Sequence, residues 1–206
     1  MKKVVIFDLG NVLARFNEIE LTAACIRDPL LREPIRHAVF HRPYWDELDN
    51  GTLTDEQFKQ KIRDRLPAEL HSAGCDVFDN WVENMPPING MRELVRELKE
   101  AGVPLYLISN ISKGFVERYP HVAWLADILA QFDGLVFSGP LHAVKPDRVI
   151  FEHVLQQYDL LAEDCVFIDD SQLNLDGAKA VGIDGYLFDG DVDRLREFLR
   201  KERIAV

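Results

Sequence analysis

A chain of 206 residues, 47% hydrophobic and 29% charged, has the make-up of an ordinary globular protein. It is long enough for one substantial core, or for a core with a small insertion. Its formal net charge of -11 argues against nucleic acid or an anionic membrane as partner, since both need a basic surface.

The first predicted element is a strand, "VVIF" at 4–7, which closes on Asp8. The aspartate cuts the apolar run short and no small-residue cleavage site follows, so this is a strand rather than a secretion signal. No stretch reaches the length of a transmembrane helix. Cys25, Cys75 and Cys165 lie far apart with no CxxC pair, which gives no disulfide framework and fits a reducing cytoplasm. A cytoplasmic protein is expected.

From residue 16 to residue 87 no strand pattern appears, and helices are predicted around 18–27, 30–40, 54–65 and 70–84. Asn50-Gly51 marks a turn, and Thr54 with Gln57 forms a capping box. So much helix is too long for one crossover between strands, and 16–87 is expected to be a helical insertion into a core formed by 1–15 and 88–206. "MPPING" at 85–90 punctuates the return. A helix over 90–101 places Met91, Leu94, Val95 and Leu98 on one face before Gly102 stops it. Strands are then predicted at 103–109, 134–138, 165–168 and 184–188, with helices over 147–158 and 172–182 between the later ones. Strands of nearly continuous apolar character alternating with helices indicate an α/β protein with a parallel sheet covered on both faces.

In such sheets ligands bind outside the carboxyl ends of the strands, so the polar residues after each apolar run are the candidates. These are Asp8, Ser109-Asn110, Lys145 in the loop after the third strand, and Asp169-Asp170. Each alone has an ordinary structural use: an N-cap, a turn former, a solvated lysine. Four such placements at four strand tips form a different pattern. Three carboxylates gathered there repel one another unless a cation is present, and oxygen-only ligation suits a hard ion such as magnesium. A carboxylate nucleophile, a metal and a fixed ammonium suit phosphoryl transfer through a transient aspartyl-phosphate.

"VVIFDLGNV", "LISN", "VKPD" and "FIDDSQLNLDGA", in this order, resemble the four motifs of the haloacid dehalogenase-like hydrolase superfamily, over nearly the whole chain. The resemblance implies a Rossmann-like three-layer α/β/α core, a helical cap at 16–87, and magnesium-dependent phosphatase action on a small phosphorylated metabolite. Carried over by position, Asp8 is the nucleophile and a metal ligand, and Gly10 lends the metal its backbone carbonyl. Ser109 and Asn110 bind the substrate, Lys145 neutralises phosphate charge and steadies Asp8, and Asp170 binds Mg2+. Asp169 orients Lys145 or a metal-bound water, and Asn174 braces the metal site or is an ordinary first-turn helix residue.

Gly10 is the departure, because the family's usual first motif has a second aspartate there as general acid and base. Glycine keeps the carbonyl and loses the carboxyl, an effect of roughly 10²–10⁴-fold on a poor leaving group. A phosphate on an anomeric oxygen depends less on that proton. The "DLGNV" form resembles a bacterial subgroup that includes an α-D-glucose-1-phosphate phosphatase, so a sugar phosphate such as glucose 1-phosphate is the expected substrate. Candidates for the missing acid are His37, His41, Trp45, Asp46 and Glu47, with Trp45 expected in the core. The alternatives are a 2-haloacid dehalogenase-type hydrolase, against which the Asp169-Asp170 pair argues because that reaction needs no magnesium, and a non-catalytic binder of phosphorylated metabolites.

Overall fold

The computed structural model describes residues 3–206. Five strands form one all-parallel sheet: β1 (Val4–Phe7), β2 (Leu105–Ser109), β3 (Gly134–Phe137), β4 (Cys165–Asp169) and β5 (Asp184–Leu187). Their order across the sheet is β3-β2-β1-β4-β5. The chain winds outward from β1 through β2 to β3, then crosses back to place β4 on the other side of β1. The reversal opens a crevice beyond the tips of β1 and β4, where Phe7 pairs with Ile168 and Ser109 and Asp169 end their strands.

Side-chain alternation divides the apolar residues between two layers. Val5, Phe7, Leu105, Leu107, Val166 and Ile168 face one side, and Val4, Ile6, Tyr106, Ile108, Phe167 and Cys165 face the other. This is the α/β/α arrangement that continuously apolar strands require. One of the two edge strands is the exception: Asp184, Gly185 and Leu187 of β5 are exposed.

Five helices lie between β1 and the return to the sheet: α1 (Glu18–Cys25), α2 (Pro29–Val39), α3 (Arg42–Asp49), α4 (Asp55–Asp64) and α5 (His71–Asp79). They pack on one another around Trp45, which is 4% exposed and meets the rings of Phe16, Phe40, Phe58, Phe78 and Trp81 at centroid distances of 5.0–6.4 Å. The local signals are clear. Thr54 caps α4 with the reciprocal Gln57 bond, and Asp28 caps α2 with Pro29 in its first turn. The outgoing and returning chains run side by side: Arg15 N donates to Pro86 O at 2.8 Å and Ile88 N to Leu13 O at 2.9 Å.

Seven helices complete the layers: α6 (Met91–Glu100), α7 (Lys113–Arg118), α8 (Ala123–Leu129), α9 (Ser138–Leu141), α10 (Arg148–Gln157), α11 (Gln172–Lys179) and α12 (Val192–Lys201). Some boundaries differ from the sequence expectation for local reasons. The helix predicted at 70–84 ends as α5 at Asp79, where the Asn80 side chain donates to the Asp76 carbonyl at 2.7 Å. The strand predicted at 134–138 stops at Phe137, since Ser138 opens α9.

Candidate active site

Asp8 leaves β1 with its backbone N–H still bonded to Ile168 O of β4, at 2.9 Å. The sheet ladder therefore fixes the direction in which its side chain is delivered. Lys145 Nζ stands 2.7 Å from Asp8 Oδ1 and 2.7 Å from Asp169 Oδ2, with all three residues buried. Asp169 is held further by the Ser171 N–H at 2.8 Å and by Asn174 Nδ2, which donates to its two oxygens at 3.0 and 3.1 Å. Asn110 clamps the backbone of Lys145: its Oδ1 accepts from Lys145 N at 2.7 Å and its Nδ2 donates to Lys145 O at 2.9 Å. An ammonium so placed is a fixed charge rather than a mobile one.

Asp170 lies beside this buried group and is exposed. Oxygens of Asp8, Asp169 and Asp170 lie within 4.8 Å of one another. Three carboxylates against one ammonium leave excess negative charge in a partly dry site. Burial pushes the Asp8 carboxyl up to about 7 despite the Lys145 charge, with Asp169 adding to the rise. Partial desolvation also raises Asp170, opposed by a hydrogen bond from Asn11. Asp169 has both oxygens engaged by protein donors, which leaves Asp8 and Asp170 as the pair facing a common space. An all-oxygen set with this charge fits a hard divalent cation.

The loop after Asp8 is shaped by Asn11, a non-glycine residue at φ 53°, a conformation asparagine tolerates. Its Nδ2 donates to Asp170 Oδ2 at 3.2 Å and its Oδ1 accepts from Phe16 N at 3.0 Å. Gly10 precedes it, lining the pocket, and a Cβ there meets nothing within 4 Å. Open space therefore stands where a side chain is missing.

These residues form the floor of a pocket of about 740 Å³ that also takes in Ser109, Asn110 and Asn174. The helical segment supplies the opposite wall: Phe16, Trp45, Trp81 and Met85 are apolar, and Glu18, Arg42, Asp46, Asp49 and Asn50 are polar. Of the candidates for the missing acid, Trp45 and Asp46 reach the pocket, whereas His37, His41 and Glu47 are not among its lining. His37 is exposed and pairs with Glu33 at 2.8 Å. Sequence reasoning missed two residues. Asn11 carries a visible signal, an Asn-containing turn directly after the strand. Asp49 carries none, because only the docking of α3 against the strand tips brings it here.

A family model of haloacid dehalogenase-like hydrolases matches residues 2–182. The chain belongs to this family. A sesquiterpene phosphatase of Aspergillus oryzae is 31% identical over 89% of the chain and 88% of its own length. A drimenol cyclase of Aspergillus calidoustus is 28% identical over 91% of the chain, which spans about a third (34%) of that larger protein. Among solved structures, a HAD family enzyme of Bacteroides thetaiotaomicron, in complex with magnesium and inorganic phosphate, superimposes with a TM-score of 0.72 at 19% identity, covering 95% of this chain and 99% of that one. This chain is thus a haloacid dehalogenase-like enzyme with the family's fold, and it is similar to phosphatases of that family. Among the described residues no helix is long and apolar enough to cross a membrane.

Proposed function

We propose that the protein is a magnesium-dependent phosphomonoester hydrolase working through an aspartyl-phosphate, with residues 16–87 as a cap over a core of 1–15 and 88–206. The observation that carries this reading is the Asp8–Lys145–Asp169 bridge at the floor of an open pocket, with Asp170 beside it. Asp8 forms the bond to phosphorus as the ester P–O bond breaks, and water then attacks the aspartyl-phosphate to release inorganic phosphate. Lys145, itself held by Asp169, keeps Asp8 in place and offsets phosphoryl charge. Ser109, which ends β2 and lines the pocket, binds a phosphoryl oxygen in this reading. Asn110 contributes by fixing the backbone that carries Lys145. Asp8, Asp170 and the Gly10 carbonyl would hold Mg2+, which would supply charge neutralisation for the transferring group.

A small phosphorylated metabolite is the substrate class, and a sugar phosphate such as glucose 1-phosphate suits the polar rim formed by Glu18, Arg42, Asp46 and Asn50. The apolar wall of Phe16, Trp45, Trp81 and Met85 supports a second reading, a phosphate ester of an isoprenoid chain, in keeping with the named substrate class of the Aspergillus oryzae relative. The test is turnover of p-nitrophenyl phosphate with magnesium, followed by a panel that includes glucose 1-phosphate and a sesquiterpenyl phosphate. Asp8→Asn is expected to abolish all activity. Equal activity in the variant, or none in the parent protein across the panel, sinks the assignment.

A further inference from the structure

We propose that Asp49 is the proton donor and acceptor for this reaction, acting from the cap in place of the carboxyl absent at Gly10. The inference rests on the phosphatase reading above. Asp49 is the last residue of α3 and lines the same pocket as Asp8, Gly10, Ser109 and Asp170. It faces the floor from the opposite wall, which is where the departing group of a bound ester must lie if Asp8 attacks phosphorus in line.

Its position is set by the core and not only by the cap. The Asp49 carbonyl accepts from Ser138 Oγ at 2.6 Å, and Ser138 is fully buried at the end of β3. The same hydroxyl accepts from Ile111 N at 2.8 Å, next to Ser109-Asn110. The following carbonyl, Asn50 O, meets His142 Nδ1 at 3.1 Å. A side chain carried by an inserted segment is thereby held in register with the strand tips.

The surroundings of Asp49 suit a proton carrier. Of the other acids on the cap wall, Glu18 is tied to Arg36 at 2.9 Å and Asp46 stands 3.6 Å from Arg42. Asp49 instead takes a hydrogen bond from the side chain of Trp45, one turn earlier. Burial holds its carboxyl well above the usual carboxylate range; Arg42 opposes the rise, and the charges of Asp46 and Asp8 add to it. The shift is toward the protonated form, the form a general acid needs.

As the bond from Asp8 to phosphorus forms and the ester P–O bond breaks, Asp49 gives its proton to the leaving oxygen. The alcohol departs neutral and Asp49 becomes a carboxylate. In the second step Asp49 takes a proton from the water whose oxygen bonds to phosphorus, and inorganic phosphate and free Asp8 result. The cycle ends with Asp49 protonated again. Phosphates of ordinary alcohols then come within reach, and the enzyme is not confined to anomeric esters.

The experiment compares Asp49→Asn with the parent on two esters, p-nitrophenyl phosphate and an alkyl monophosphate. The nitrophenolate leaves without a proton and the alkoxide does not. The alkyl ester is expected to lose about 10²–10⁴-fold in kcat, and the nitrophenyl ester at least ten times less, with KM for each little changed. Asp49→Glu keeps a carboxyl and should keep most of the alkyl ester rate. Adding Gly10→Asp to Asp49→Asn should restore part of that rate, because a side chain at 10 enters open space. An equal loss for both esters in Asp49→Asn, with no recovery in the double variant, overturns the role of Asp49 while leaving Asp8 chemistry standing. Activity that survives Asp8→Asn overturns the phosphatase reading itself, and this proposal with it.

Discussion

Asn174 stands in the first turn of α11 and lines the pocket, and both its side-chain hydrogen bonds go to Asp169. Asp169 in turn holds Lys145, and Lys145 holds Asp8. Partners of this kind are worth about 10–100-fold when removed from comparable sites. Asn174→Ala is expected to lower kcat by about 10-fold with little change in KM, read by steady-state kinetics on p-nitrophenyl phosphate. A change confined to KM would contradict the positioning role. Much of the floor was legible in the sequence because strands deliver residues to fixed places: Asp8, Ser109 and Asp169 each follow or end an apolar run. Lys145 was legible only as a member of the set, since its loop has no regular pattern. Asp49 was not legible at all. Its meaning depends on Ser138, 89 residues away in the chain, and no local signal carries such a contact.

Elements with strong local chemistry were the easiest to read. The central strands are nearly continuous in apolar residues because both faces are covered, and β1, β2 and β4 overlie the runs "VVIF", "VPLYLIS" and "CVFI", with β2 starting two residues into its run at Leu105. The helices with no sequence expectation, α3, α7, α8, α9 and α12, fall into two kinds. The first four are short, at eight residues or fewer. The fifth has a helical period in plain view, with Leu195 and Leu199 buried four residues apart. Capping offers the cleanest test at this scale. In α4 the Thr54 hydroxyl accepts from Gln57 N at 3.3 Å while Gln57 Oε1 accepts from Thr54 N at 2.9 Å. Thr54→Ala removes one of these bonds and is expected to cost about 1 kcal/mol, measured as a shifted urea midpoint with an unchanged slope. Kinetic constants on p-nitrophenyl phosphate should stay as they are, because Thr54 lies outside the pocket lining.

At the scale of the whole molecule, the question is how a segment that enters and leaves the core at one place is kept over the strand tips. The paired chains at 13–15 and 86–88 form one attachment. The other lies at the far rim, where Asp55 pairs with Arg118 of α7 at 2.7 Å and the end of α3 meets α9. Gly51 is the tightest point of that rim. Its φ is +78°, and a Cβ there would collide with the Gly139 carbonyl oxygen and crowd the His142 ring. Alanine at 51 therefore meets two penalties, a left-handed backbone costing about 1–2 kcal/mol and a clash with main chain that cannot rotate away. The least costly relief is for the end of α3 to lift from α9, because the sheet beneath is packed on both faces while the rim is not. Lifting widens the pocket, carries Asp49 away from the floor and lets water in. Gly51→Ala is expected to lower kcat/KM by about 10-fold or more on an alkyl monophosphate, and to increase acrylamide quenching of the tryptophans, two of which, Trp45 and Trp81, line the pocket. Quenching and kinetics should move together, since both report one displacement. A variant that is slower but no better quenched would mean that the rim holds Asp49 locally and the helical segment as a body does not move.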